Sequence, residues 1–257
     1  MKMDLNCDMG ESFGIYKLGM DEEVIQHVTS ANIACGWHGG DPSVMRKTLQ
    51  LAKERGVGAG AHPGYPDLVG FGRRNMDCTP EEIKDYVIYQ IGALEAFARA
   101  LGTKLEHVKA HGSLYNTAVE DERIARAIAE AIASVDENLI CMALGGAKGA
   151  MVREAGKRVG LRVAFEGFAD RAYTPQGALV PRRQAGAVIK DPEVVAQRAL
   201  MMVKGKVIAV DGSEIPLEIH TLCVHGDTPG AVNLTKLLRE KLRAAGVDLF
   251  PVRKVLS

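Results

Sequence analysis

A short apolar run, a glycine-rich loop and an amphipathic helix follow one another repeatedly along the chain, and this repeat limits the folds available to it. The apolar runs, which we interpret as strands, span residues 3–7, 32–35, 57–61, 107–110, 139–144, 163–165 and 219–224. They lack a clean alternation of polar and apolar residues, which is typical of strands buried on both faces of a parallel sheet. The helices are expected at about residues 21–29, 42–55, 80–101, 121–134, 147–159, 191–203 and 230–245.

Polar residues follow nearly every one of these apolar runs, and this distribution separates two kinds of α/β fold. An open parallel sheet concentrates its polar residues at one switch point, whereas all the loops of a barrel converge at one end. We therefore expect an α/β fold with a seven-stranded, TIM-like β/α barrel, forming a single domain over residues 1–257. The segment 204–217 departs from the repeat, because KVIAVDGSEIPL predicts a β-hairpin inserted before the last strand.

Charge and cysteine content exclude several classes of protein. The 32 basic and 32 acidic residues give a net charge of zero, which argues against a basic surface for nucleic acid. The five cysteines include no CxxC pair, which indicates reduced thiols rather than disulfides or a thiolate zinc site. No stretch approaches the roughly 20 apolar residues of a membrane span, and MKMDLNCDMGES lacks the apolar run of a secretory signal. We expect a cytoplasmic protein that binds neither nucleic acid nor membrane.

Histidines are concentrated at the predicted strand ends. Four of the seven lie there beside glycine or proline, namely His38, His62, His111 and His225. In a barrel these four side chains are expected to converge on one cavity. The other three, His27, His107 and His220, lie outside this pattern and are expected to be structural.

Acidic residues and one lysine lie at the same level of the predicted barrel. Asp8 and Glu11 follow the first apolar run, and Glu166 and Asp170 follow the sixth. Asp41 precedes a proline at a helix start and is expected to cap that helix. Lys109 is two residues before His111, so both side chains lie on one face of a strand. It either binds an anion of the substrate or pairs with Asp8 or Glu166.

This set of side chains suits two kinds of chemistry, and the residues alone do not choose between them. Histidine and carboxylate ligands suit a borderline divalent ion such as zinc or manganese, held by members of the set Asp8, His38, His62, His111 and His225. The same groups suit general acid–base catalysis without a metal. Neither an HExxH helix nor a GxxxxGK[ST] phosphate loop occurs in the sequence.

Six motifs, in order along the chain, resemble the LamB/YcsF family: LNCDMGESFG, SANIACGWHGGDP, GAHPGYPDLVGFGRRNM, VKAHGSLYN, EGFADRAYTPQGALVPR and CVHGDTPGAV. The resemblance covers essentially the whole chain. It implies a barrel similar to those of the glycoside hydrolase/deacetylase superfamily. It further implies opening of 5-oxoproline to L-glutamate with ATP as co-substrate, and partnership with two further 5-oxoprolinase subunits, B and C.

With that substrate in view, the candidate residues divide into two groups. Catalytic roles are expected among Asp8, His62, Lys109, His111 and Glu166. Substrate binding is expected among Glu11, His38, Arg74, Asp170, Arg171, His225 and Asp227. Lys109, Arg74 or Arg171 would hold the substrate carboxylate, because arginine forks and ammonium groups bind such anions.

Two other functions remain open at this point. One is a metal-dependent amide hydrolase or deacetylase that acts alone, and the other is a non-catalytic subunit that binds the lactam while its partners do the chemistry. Activity without ATP, or binding of neither 5-oxoproline nor ATP to the isolated chain, would separate these alternatives. The sequence leaves open whether the chain forms homo-oligomers.

Overall fold

The computed structural model describes residues 1–224 and 230–257. The strands in these residues are β1 (Lys2–Met9), β2 (Ser30–Ala34), β3 (Gly58–His62), β4 (His107–Lys109), β5 (Ile140–Leu144), β6 (Arg162–Phe168), β7 (Lys206–Ile208), β8 (Glu214–Pro216), β9 (Thr221–Val224) and β10 (Asp248–Leu249). The helices are α1 (Asp21–Val24), α2 (Pro42–Arg55), α3 (Pro80–Ala100), α4 (Gly112–Ala118), α5 (Glu122–Val135), α6 (Ala150–Arg158), α7 (Pro192–Val203), α8 (Ala231–Ala244) and α9 (Val252–Val255), with a 3-10 turn at Ala147–Gly149.

Seven parallel strands close into a barrel. Their order is β1, β2, β3, β4, β5, β6 and β9, and β9 pairs with β1 to complete the ring. In that closing pair Leu5 lies opposite Leu222 and Cys7 lies opposite Val224. The α/β class and the seven-stranded barrel that the sequence predicts are therefore confirmed.

Several helices begin where the sequence signals place them. The Asp41 side chain accepts hydrogen bonds from the backbone N–H groups of Ser43 and Val44, and it thereby caps α2. The side chain of Thr79 forms a reciprocal capping box with Glu82 at the start of α3. Both caps satisfy backbone donors that the first turn of a helix leaves without a partner.

Other elements differ from the sequence expectation. Helix α1 ends at Val24 rather than near residue 29, and α4, α9 and β10 were not expected. The segment 204–217, by contrast, contains the two antiparallel strands of the expected hairpin, since β7 and β8 pair as a separate two-stranded sheet. Among the described residues, no helix combines the length and the apolar character that a membrane span requires.

The barrel lumen is lined by polar side chains from several strands. In β1 they alternate with buried apolar residues, as Asp4, Asn6 and Asp8. Asn6 donates hydrogen bonds to Glu166 of β6 and to Thr221 of β9, and the bond to β6 crosses the lumen. The expectation that the strands lack alternation is thus wrong for β1, because a lumen that holds polar groups requires a period of two.

An apolar plug closes the lumen at the amino-terminal ends of the strands. Val252 of α9 is fully buried there and packs against Ile140, Met142 and Ala164. Ile140 and Met142 of β5 are in register with His107 and Lys109 of β4. The face of β5 that carries these two residues is therefore apolar, and the neighbouring face of β4 is polar. Lys109, the last residue of β4, lies toward the other end of the lumen, where the strands have their carboxyl termini.

Candidate functional site

A buried lysine lies between two carboxylates at the carboxyl ends of the strands. Lys109 Nζ is 2.9 Å from Asp8 Oδ1 and 2.9 Å from Glu166 Oε1. These three residues, which we call the lysine cluster, come from β4, β1 and β6. The Lys109 side chain is 4% exposed and that of Glu166 is 0% exposed, whereas that of Asp8 is 17% exposed. Asp8 is therefore the member that an incoming ligand can reach.

Electrostatics keep the lysine charged in this enclosed position. Burial by itself lowers the pKa of Lys109, but Asp8 and Glu166 outweigh it and raise that pKa well above its usual value. The ammonium group also lies 3.3 Å from Cys223 Sγ and 3.4 Å from Asn6 Oδ1. Its three hydrogens are thus used by groups of the protein. Of the two roles expected for Lys109, this favours pairing with Asp8 and Glu166 over binding a substrate carboxylate.

A second layer of side chains positions the two carboxylates. Tyr115 of α4 donates a hydrogen bond to Glu166 Oε2 at 3.0 Å, and Asn6 donates to Glu166 Oε1 at 2.8 Å. Asn32 of β2 donates to Asp8 Oδ1 at 2.8 Å. These bonds hold Glu166 deep in the lumen, while Asp8 Oδ2 faces the neighbouring histidines.

Three of the four strand-end histidines converge with Glu11, and we call these residues the histidine cluster: Glu11, His38, His62 and His111. The rings of His38 and His111 stack with centroids 3.6 Å apart and planes 4° from parallel. His111 Nδ1 is 2.9 Å from His62 Nε2, and Glu11 Oε1 is 3.3 Å from His38 Nε2. Each residue offers one ligand atom, and these atoms all lie within 4.8 Å of one another, a grouping able to hold a metal ion.

Burial controls the charge of two of these imidazoles. It lowers the pKa of His38 and of His111 well below the usual value, and the neighbouring imidazoles of the cluster lower both further. His38 and His111 are consequently neutral near pH 7 and carry a lone pair on one ring nitrogen. The cluster adjoins the lysine cluster, since His62 Nε2 is 3.4 Å from Asp8 Oδ2.

The loop between β3 and α3 covers the histidine cluster. His111 Nε2 donates a hydrogen bond to the Phe71 carbonyl at 2.8 Å, and Ser113 N donates to the Gly72 carbonyl at 2.9 Å. A side chain at position 112 would meet that carbonyl, because a Cβ there would lie 2.6 Å from Gly72 O. Gly112, at φ +55°, therefore lets the start of α4 approach the loop closely.

The two arginines proposed as substrate ligands make other contacts. Arg74 pairs with Asp67 in the loop before α3, with its Nε 2.8 Å from Asp67 Oδ1. Arg171 is buried, and its guanidinium donates to the carbonyls of Val180 and Ala187, which supports the segment that follows β6. Asp170 is also buried there, and its carbonyl accepts a hydrogen bond from the backbone of residue 189. Both arginines thus contact groups of their own loops, and their substrate-binding role stays a prediction.

Two other predicted residues, His225 and Asp227, lie outside the described residues. The structure also adds side chains that the sequence interpretation missed: Asn6, Asn32, His107 and Tyr115. His107 was expected to be structural, and it donates from Nε2 to Asn32 Oδ1 at 2.8 Å beneath the site. The alternation of polar and apolar residues in β1 could have indicated that Asn6 faces the lumen. No sequence pattern indicates that Tyr115 of the short helix α4 belongs to the site.

Comparison with known proteins identifies the family. The model of the LamB/YcsF family matches residues 3–257. The chain belongs to the LamB/YcsF family. A relative in Pyrococcus furiosus, named as the A subunit of 5-oxoprolinase, is 56% identical over 253 residues, which cover 98% of each chain. A relative of the same name in Clostridium beijerinckii is 51% identical over 99% of each chain.

Solved structures agree with this assignment. A structure from Thermus thermophilus, described as a lactam utilization protein, has a TM-score of 0.91 and 48% identity, covering 97% of this chain and 99% of that one. A structure from Enterococcus faecalis, described as a putative cellobiose-phosphate cleavage protein, has a TM-score of 0.59 at 13% identity, covering 99% of this chain and 98% of that one. The second likeness concerns the fold alone.

Proposed function

We propose that this chain carries the lactam-opening site of an ATP-dependent 5-oxoprolinase, which opens 5-oxoproline to L-glutamate with two further subunits, B and C. The observation that carries this proposal is the lysine cluster beside three histidines at the open end of the barrel. The names of the relatives support the substrate and the multi-subunit assembly.

The chemistry requires activation of an unreactive amide. ATP transfers its γ-phosphoryl group to the lactam oxygen, which gives a phosphorylated imidate and ADP. Water then adds to the ring carbon and loses a proton to a base. The C–N bond breaks with protonation of the nitrogen, which leaves an acyl phosphate, and a second water releases phosphate and glutamate.

Asp8 is the base that the geometry supports best. It is the most exposed member of the lysine cluster, and Asn32 and Lys109 both bind its Oδ1, so its Oδ2 is directed at the histidines. Lys109 and Glu166 are positioning residues in this proposal, because the ammonium group fixes Asp8 and Glu166 fixes the ammonium group. His62 and His111 lie next to Asp8 and orient the substrate. A divalent ion, if held by the histidine cluster, would polarise a substrate oxygen.

The test uses the enzyme reconstituted with its partner subunits. Asp8→Asn and His111→Ala are expected to lower the rate of glutamate formation by about 100-fold or more, the range of general acid–base catalysis. Asp121→Asn is the matched control, because Asp121 caps the outer helix α5. Undiminished glutamate formation in both site variants would refute the assignment.

A second candidate function has one observation in its favour. Three imidazoles and a carboxylate within 4.8 Å suit a metal-dependent amide hydrolase or deacetylase that acts alone. ADP and glutamate formation, measured with and without each partner subunit, separates the two. Lactam opening by this chain alone, without ATP, would favour the second candidate.

Binding of 5-oxoproline without any effect of the site variants on turnover would instead indicate a non-catalytic lactam-binding subunit.

A further inference from the structure

The hydrogen bonds of the histidine cluster determine where its ring protons lie. His62 Nδ1 is 2.7 Å from the Lys109 carbonyl, and His111 Nε2 is 2.8 Å from the Phe71 carbonyl. A carbonyl oxygen only accepts, so each of these nitrogens carries the hydrogen. When such a ring carries a single hydrogen, its other nitrogen, His62 Nε2 or His111 Nδ1, carries a lone pair. These two nitrogens face each other at 2.9 Å.

Two lone pairs at this distance repel each other unless a positive centre lies between or beside them. A single shared proton would satisfy His62 and His111 alone. It would leave unexplained why the Glu11 carboxylate, which lies 3.3 Å from His38 Nε2, also approaches His111 Nδ1 to 3.6 Å, beyond a hydrogen bond. One ion at the common centre of the four groups accounts for all of these approaches.

We propose that Glu11, His38, His62 and His111 bind one divalent cation of the borderline class, such as Zn²⁺. Ligand atoms around a tetrahedral ion at ~2.1 Å are about 3.4 Å apart. Three of the six pairs of ligand atoms in the cluster are 2.9, 3.3 and 3.6 Å apart, and all six pairs lie within 4.8 Å. Three imidazoles and one carboxylate match the preference of zinc and cobalt over magnesium or calcium. The inference rests on this geometry and does not depend on the proposed reaction.

The surroundings of the cluster have the form of a metal site. Histidine ligands of metals usually donate their second ring N–H to a carbonyl or carboxylate, which fixes the tautomer. The carbonyls of Lys109 and Phe71 do this for His62 and His111. The sequence interpretation placed Asp8 in the ligand set. The geometry places Glu11 there, because its carboxylate oxygen is the one that lies within 4.8 Å of a ligand nitrogen on each of the three histidines.

The test measures metal binding without any activity assay. Untagged protein is stripped with a chelator and titrated with Co²⁺, followed by visible absorption and calorimetry, and then with Zn²⁺ in competition. We expect one equivalent of Co²⁺ to bind, with the absorption of a tetrahedral site, and Zn²⁺ to displace it. His62→Ala and His111→Ala should each weaken the affinity at least 10-fold. His27→Ala is the control, since His27 lies before β2, outside the cluster, and should leave binding unchanged.

Circular dichroism shows whether each variant folds. If His62→Ala or His111→Ala does not fold, Glu11→Gln decides, because it keeps the size of the side chain and removes the anionic ligand. Weaker Co²⁺ binding by Glu11→Gln supports the site. Absence of stoichiometric binding by the folded wild-type protein, or unchanged affinity in the folded cluster variants, would overturn the proposal. Lactam opening is measured separately, so failure of the metal site and failure of the proposed function are distinguished.

Discussion

The ammonium group of Lys109 lies between two carboxylates inside the barrel, and its removal should be costly. Lys109→Met takes away the buried cation beside Asp8 and Glu166. Breaking a buried ion pair by removing one partner costs about 3–5 kcal/mol. We expect that loss in the free energy of unfolding, measured with denaturant. Lys47→Met is the control, because it removes an exposed pair with Glu22 and should leave the free energy of unfolding nearly unchanged. Equal losses for both variants would contradict the expectation.

Asp4 gives stability a defined dependence on pH. Burial raises the pKa of Asp4 from 3.8 to about 6, although Thr221, Thr29 and Ser30 donate hydrogen bonds to it. The folded state thus binds this proton more tightly than the unfolded state. Its contribution to stability is full below about pH 4 and is lost as the pH rises through 6. Relative to Asp4→Asn, the wild-type protein should lose about 2.4 kcal/mol between pH 4 and pH 7. A difference in stability that is constant over this range would refute the shift.

At the level of single residues, the sequence predicts the ends of strands better than their interiors. His38, His62 and His111 come together because parallel strands end at one edge, which the order of motifs already implies. Asn32 and His107 were missed since a polar residue inside an apolar run shows no partner in sequence. Their hydrogen bond joins residues 75 positions apart.

Helices with side-chain caps were predicted well, and short elements were not. Helices α2 and α3 begin at Asp41-Pro42 and Thr79-Pro80, where cap and proline coincide. Helix α4 has seven residues and no side-chain cap bond, so its start at Gly112 resembles a loop in sequence. The strand β10 has two residues and depends on its pairing with β1, a contact that no local pattern reveals.

Gly60 of β3 leaves space in the lumen for the imidazole ring of His107. Two glycine substitutions test whether this space is required. A Cβ on Gly60 would fall on the imidazole of His107, whereas a Cβ on Gly92 of α3 meets nothing within 4 Å. Gly60→Ala should therefore destabilise by about 1–3 kcal/mol through overpacking. Gly92→Ala should stabilise by about 1 kcal/mol, since alanine favours a helix. Thermal unfolding of both variants measures this, and a tolerated Gly60→Ala would show that His107 can move.

For the whole molecule, the repeat of strand and helix was enough to predict seven strands and a barrel. Closure is a property of the complete ring, because β9 must return to β1 after the inserted hairpin of β7 and β8. What the repeat did not predict is the polar lumen with its apolar plug. That arrangement depends on side chains that meet across the barrel from strands that are not neighbours.

The plug at the amino-terminal ends of the strands should contribute to global stability. Val252 is 0% exposed, and Val252→Ala leaves a cavity beside Ile140, Met142 and Ala164. Deleting buried methyl groups in this way costs about 2 kcal/mol. Val210→Ala is the control, because Val210 is 63% exposed and should change stability by less than about 0.5 kcal/mol. Denaturant unfolding that shows equal effects would mean that the plug can collapse around the smaller side chain.

The pairing of β1 with three strands has a kinetic consequence. Its residues are in register with β2, β9 and β10, and Asn6 and Cys7 are in register with both β2 and β9, so the middle of the strand is bonded on both edges. Amides held in this way exchange with solvent deuterium only when the barrel opens as a whole. Hydrogen exchange should therefore be slowest at Leu5–Cys7 and much faster in the β7–β8 hairpin, which pairs only with itself among the described strands. The strand that carries Asp8 is then also the last to lose its structure.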